Sequence, residues 1–449
     1  MERNETKTGD FFEGIPVNIP AMDDEKFSLE CADISCMMTE SIVFNANYKM
    51  INIINKFRLF KIKLLTILFV GCLFGCQKPN KGNFPIIDLS KNHPKKEIQI
   101  QDIADIEIVP LETRDDVLLS RFSNPCYVSD KYIIMNDIQE GIYIFNRKGE
   151  IISYFDNRGQ GPQEYTSNNK IIFDEKEEEI FVSDGPTRRL LVYSLSGKYK
   201  RSFKYTTDIM APMLYNFDNE TILLYNNDGW MSNSNNNYSK KPYILISKKD
   251  GIIVSEIDIQ FPIRYSNRIA QKIDLGGGQE AFTPLSVFMP ENNIYFCDDF
   301  VIADISSDTI FRLTRNRELI PMLVRTPSVH SSIPQKVWTT MLTTDKFIIL
   351  YTTTLDFVSL YAGRDVPSSY LMYEFDTGQT FNVSFVNKFF EQKYFPLRST
   401  PGEIAKNMFV DKMSPKTLIP YFEEKHSKGE QLKIPNEEDN PIVVIYKFK

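Results

Sequence analysis

The chain has 449 residues, 42% hydrophobic and 13% aromatic, which excludes a disordered or collagen-like protein and is enough for a large core. Its formal net charge of -7 argues against a nucleic-acid partner, since general nucleic-acid binders carry a basic surface that displaces counterions from phosphates. His93, His330 and His426 are the only histidines, and they stand far apart with no second ligand at metal spacing, so neither a metal centre nor a histidine-activated nucleophile is specified.

Residues 1–49 are acidic and weakly patterned, with no apolar run able to direct export. Met50 then opens a segment in which Lys56, Arg58, Lys61 and Lys63 precede the eleven apolar-rich residues Leu64 to Phe74. That is the charged-then-apolar order of a secretory signal, and it falls short of the ~20 residues that a membrane-spanning helix needs. Leu73-Phe74-Gly75-Cys76 resembles the bacterial lipobox. The resemblance implies a signal peptide over 50–75, a lipid on Cys76, and a leader over 1–49 that arises from a start site placed too early. The mature chain then keeps Cys126 and Cys297 besides Cys76. Those two can pair as one disulfide, or Cys297 in the run Ile294-Tyr295-Phe296-Cys297 can be a buried thiol.

Residues 76–97 are polar and rich in lysine, proline and asparagine, and read as a lipidated tether. From residue 98 onward, short apolar runs alternate with turn residues and few stretches hold a helical period, so the expected class is all-β. The runs recur as a unit. One copy is Tyr132 to Asp137, Ile142 to Phe145, a turn ending at Gly149, and Glu150 to Ile152; the next is Ile180 to Asp184, Leu190 to Tyr193, a turn ending at Gly197, and Lys198-Tyr199. The two glycines are 48 residues apart (197 minus 149), a period of propeller type. Looser copies follow: Thr221 to Tyr225 with Tyr243 to Ile246, Ile294 to Phe296 with Thr309 to Leu313, and Phe347 to Tyr351 with Tyr370 to Tyr373. A sixth unit is expected from the chain's ends, with Pro441 to Tyr446 pairing near Ile106 to Leu111, so that the ring closes without a long open edge.

At Ile180 to Gly197 the chain resembles an NHL-type repeat. Val109-Pro110-Leu111-Glu112-Thr113, Gly159-Gln160-Gly161-Pro162-Gln163-Glu164-Tyr165 and Ser307 to Leu313 resemble, in that order, the six-bladed β-propeller lipoproteins of Bacteroidetes. The resemblance implies a six-bladed β-propeller over 98–449 behind a lipoprotein signal peptide. It implies little about activity, because the family's role is mostly unassigned.

Three regions are candidates for ligand contact, each with a structural alternative. Arg158, Glu164 and Tyr165 flank the Gly159 to Pro162 loop, which also reads as a turn between blades. Arg188 or Arg189 stands near Asp184, whose counterpart one copy earlier is Asp137; recurrence favours a hydrogen bond that orders each blade. Trp230, Arg264, Tyr265 and Arg268 lie in long inter-strand connections suited to carbohydrate or peptide contact, or to plain surface insertion. Gly276-Gly277-Gly278 lacks the Lys-Ser/Thr of a phosphate loop and reads as a flexible loop.

No residue set specifies a reaction, so no catalytic residue is assigned. The expected function is a membrane-tethered, non-catalytic binding module for a glycan, peptide or partner protein. Its expected place is the cell envelope, lipid-anchored to the outer membrane on the periplasmic side, without a cofactor. The alternative is a propeller enzyme of the calcium-dependent lactonase or esterase type, or of the lyase type. The lining of the central channel discriminates: carboxylates favour metal chemistry, amides and aromatics favour binding.

Overall fold

The computed structural model describes residues 84–449 apart from 206–212, 227–240, 288–293, 297–298, 388–402, 405–406 and 431–432. The signal segment, Cys76, Trp230 and Cys297 lie outside the described residues.

Three strands come first, β1 (Ile86–Asp88), β2 (Lys95–Gln99) and β3 (Ala104–Pro110), and each joins a sheet completed by later residues. Next follow three antiparallel sheets in simple strand order. The first holds β4 (Ser123–Val128), β5 (Tyr132–Asp137), β6 (Gly141–Asn146) and β7 (Ile151–Phe155); the second β8 (Lys170–Asp174), β9 (Glu179–Asp184), β10 (Arg189–Ser194) and β11 (Tyr199–Lys204); the third β12 (Met213–Asn216), β13 (Thr221–Tyr225), β14 (Tyr243–Ser247) and β15 (Ile253–Ile257). A separate hairpin, β16 (Arg268–Gly276) and β17 (Gln279–Ser286), interrupts the series.

The fourth sheet runs β18 (Ile294–Phe296), β19 (Asp299–Ile302), β20 (Thr309–Leu313) and β21 (Leu319–Thr326), with β1 added parallel to β21. The fifth runs β22 (Lys336–Thr343), β23 (Phe347–Thr354), β24 (Ser368–Glu374) and β25 (Thr380–Val386), with β2 added parallel to β25. A two-residue strand, β26 (Glu403–Ile404), pairs parallel with β4 of the first sheet. Finally β27 (Met408–Met413) and β28 (Ile442–Phe448) form a three-stranded sheet with β3, Val443 opposite Val109 and Val444 opposite Ile108. Helix Pro415–Ser427 fills the connection between β27 and β28.

The middle strands of each sheet are apolar on both faces because sheets pack against sheets. On β5, Ile134 packs with Ile144, Val182 and Leu191 toward the second sheet, whereas Ile133 and Met135 pack with Val443 and Ile445 of the closing sheet. A period of two thus sends neighbouring residues to different interfaces. First strands of successive sheets lie side by side, β4 by β8, β8 by β12, β18 by β22, and β27 by β4. The architecture is therefore mostly β and propeller-like.

Several details differ from the sequence reading. β1 and the start of β2 lie inside 76–97, the stretch expected to be a tether; Ile87 and Leu89 are buried in the fourth and fifth sheets' interface. In the fourth copy, Ile294 to Phe296 is the first strand, and the second is Phe300 to Ile302, a run too short to stand out. Gly276 to Gly278 is the turn of the hairpin, all three with positive φ.

Candidate functional site

In an antiparallel sheet, connections between second and third strands emerge at the same end as connections from a fourth strand to the next sheet. Every candidate among the described residues belongs to such a connection or borders one.

The loop between β7 and β8 is held from within. Arg158 forms a fork with Asp156, Nη2 to Oδ2 at 2.6 Å, and burial's upward push on the Asp156 carboxyl is outweighed by these hydrogen bonds, leaving it below its ordinary range. Tyr165 is fully buried, its hydroxyl accepting from Asn157 N at 3.2 Å, and burial pushes its phenol up. It is a wall residue and presents no surface to a ligand. Arg189 donates to the carbonyls of Pro162 and Glu164, both at 3.2 Å, and Tyr193 Oη to that of Gln163 at 2.7 Å. Glu164 folds back to accept from Gly161 N at 2.8 Å. A Cβ on Gly159 would sit 1.9 Å from its Oε2, so Glu164 could fold back this way only over a residue without a side chain; neither Gly159 nor Gly161 has positive φ. The loop is an inter-sheet clasp.

Aspartates recur at the ends of second strands. Asp137 accepts from Ser120 N at 2.5 Å, Ser120 Oγ at 2.8 Å and Gln139 N at 2.9 Å. Asp184 accepts from Thr166 and Thr187 hydroxyls and pairs with Arg189 at 3.5 Å. Both are fully buried. Arg188, by contrast, is exposed with φ 53° on the rim.

Arg264 is likewise buried, donating to Asn226 O and lying 3.7 Å from Asp304. Tyr265 Oη meets His330 Nδ1 at 3.0 Å, and burial raises its phenol. Arg268 begins β16. Arg264 and Tyr265 are held by residues at the edges of the third and fourth sheets, Asn226, Asp304 and Ser306, apart from the β7–β8 loop.

The opening at this end is a cavity of about 70 Å³ between the starts of β4, β8 and β12, reached by Asn124, Asn136, Asn169, Lys170, Met213 and Tyr215. Asn136 is locked beneath, donating to Asn168 O at 2.7 Å and accepting from Asn168 Nδ2 at 2.9 Å. Asn124 and Asn169 are exposed above it. The lining is mixed, with amides, an ammonium and a tyrosine beside Cys126, Ile138, Ile171, Met213 and Leu214, and none of its lining residues is a carboxylate. Among the described residues, no three His, Cys, Asp or Glu side chains converge as a metal site. The sequence reading missed this mouth because its copies were aligned on second and third strands. The signal was there in Ser123-Asn124 and Asn168-Asn169-Lys170, polar residues leading into an apolar first strand.

Fold and mouth together define a propeller-like, mostly β protein with an opening of mixed polar and apolar lining. The chain belongs to the family described as domain of unknown function (DUF4934), which it matches over residues 84–447. A solved protein of Bacteroides fragilis, described as exported, is similar at 14% identity with TM-score 0.52, covering 81% of this chain and 99% of its own. A DUF4221 family member from Bacteroides vulgatus is similar at 9% identity and TM-score 0.38, covering 77% and 97%. No curated protein matches the chain.

Proposed function

We propose that the chain is a lipid-anchored, non-catalytic six-bladed β-propeller of the cell envelope that binds a polar ligand, a glycan or a peptide, at the mouth formed by β4, β8 and β12. The carrying observation is the composition of that mouth: the side chains of Asn124, Asn169 and Lys170 stand beside apolar Ile138, Ile171, Met213 and Leu214, a mixed surface suited to ligands that carry hydroxyls or amides on an apolar frame. The loop charges expected to meet a ligand, at Arg158, Glu164 and Arg264, are engaged within the fold. The sixth blade in this reading is the sheet β27-β28-β3, and the tether ends at Cys76. The exported description of the Bacteroides fragilis protein supports an envelope location.

The test is a glycan and peptide array probed with residues 81–449. A hit should be lost in Asn169→Ala and Lys170→Ala, with unchanged melting temperature. Hits insensitive to both substitutions would refute the mouth as the site. For the anchor, Cys76→Ser should move the protein from the membrane to the soluble fraction and abolish labelling by a palmitate analogue.

A further inference from the structure

The hairpin β16–β17 is the one sheet that packs into no larger one among the described residues. Two-stranded hairpins are marginal in water unless a third strand or a packed face supports them, and a long unpaired edge is a template for pairing with another chain. Here β16 is nine residues long, and Ile269 and Ile273 on one of its faces remain 37% and 40% exposed. On β17, Pro284 lacks the backbone N–H needed to extend the ladder on that side. Among the described residues no strand pairs with the other edge of β16, which carries Arg268-Ile269-Ala270-Gln271-Lys272-Ile273-Asp274.

That edge is complementary to itself. When two copies run antiparallel about Gln271, Arg268 stands opposite Asp274 at both ends, Ile269 opposite Ile273 twice, and Gln271 opposite Gln271. Opposite charges and branched apolar residues across a strand pair each stabilise a sheet, and a two-fold arrangement repeats each contact. Lys272 is already paired with Glu280 across the hairpin, so its charge is not left facing Ala270 of the other copy unbalanced. The geometry points to a homodimer in which β16 pairs antiparallel with β16 of a second copy, giving a four-stranded sheet. This surface is separate from the mouth and does not depend on the ligand proposed there.

The test uses the full-length chain in its own membrane. Gln271→Cys should give a disulfide-linked dimer on a non-reducing gel, whereas Thr283→Cys, on the far strand, should not. With the purified full chain in mild detergent, Arg268→Asp and Asp274→Arg should each weaken dimerisation about tenfold or more, because two attractive pairs become repulsive. The double substitution restores opposite charges and should return dimerisation to near the starting value. A monomeric wild type, a Gln271→Cys chain that crosslinks to a different protein, or a double substitution without rescue would overturn the pairing.

Discussion

Gly197 and Arg317 hold the same place in two sheets, the last residue of the turn between third and fourth strands, with φ of 76° and 67°. Only the glycine sits against a neighbouring sheet, where an added Cβ would lie 2.4 Å from Phe155 Cβ. The left-handed backbone costs an ordinary residue about 1 kcal/mol, and overpacking adds roughly 1–3 kcal/mol. Gly197→Ala should therefore lower unfolding stability by about 2–4 kcal/mol in a denaturant titration. Arg317→Gly should raise it by about 0.5 kcal/mol, since relief of the backbone outweighs glycine's extra unfolded-state entropy. The same comparison explains why the fourth copy was faint in the sequence: its turn residue is not glycine. Asp137 is a second residue whose role can be weighed. Asp137→Ala would strip partners from the half-buried Ser120 amide and the exposed Gln139 and Glu140 amides; water can replace the carboxylate at the exposed pair, so at about 1–3 kcal/mol for a buried group left unpaired the loss should be about 1–3 kcal/mol in the same titration.

Between elements, charge ties recur where a turn of one sheet meets the next. Lys248, in the last turn of the third sheet, reaches Asp174 of the second at 2.5 Å, with both side chains buried. Removing one partner of a buried pair strands the other, at about 3–5 kcal/mol, so Lys248→Met should melt earlier than Lys249→Met, whose side chain is exposed. On β9, burial pushes the Glu179 carboxyl up, but hydrogen bonds from Arg201 and Lys200 outweigh it and hold it below its ordinary value of 4.5. A lowered folded pKa means the folded state binds fewer protons, so this contribution is whole above pH 4.5 and is lost as pH falls through the lowered value. The stability gap between wild type and Glu179→Gln, followed from pH 7 to pH 3, should accordingly narrow only below pH 4.5. These ties also mark what the sequence could show. Apolar second and third strands announced themselves as runs, and Asp137 and Asp184 as a recurring position. The clasp of Arg189 on the β7–β8 loop carbonyls and the amide mouth were not visible, because both depend on which strand starts face one another. The hairpin was missed for another reason: β16 is exposed on both faces along most of its length, so it lacks the alternation that marks a half-buried strand.

At the scale of the molecule, the chain's two ends meet in one sheet, as the sequence reading expected from Ile106 to Leu111 and Pro441 to Tyr446. Seven residues of β28 pair with β3, from Ile442 opposite Pro110 to Phe448 opposite Ala104. Ile442, Val444 and Tyr446 join the core shared with the fifth sheet, while Val443 and Ile445 join the core shared with the first. All five are fully buried. At about 1.5–3 kcal/mol for each large apolar side chain buried, they contribute roughly 7–15 kcal/mol, comparable to the whole net stability of a domain. Removing residues 440–449 would also leave β3 and β27 with open edges. The truncated chain should therefore lose cooperative unfolding altogether and be cleaved throughout the sheets under limited proteolysis. If β28 merely decorated a ring closed elsewhere, the same truncation would keep a sharp transition and lose only its last fragments, and the two digestion patterns separate these cases directly.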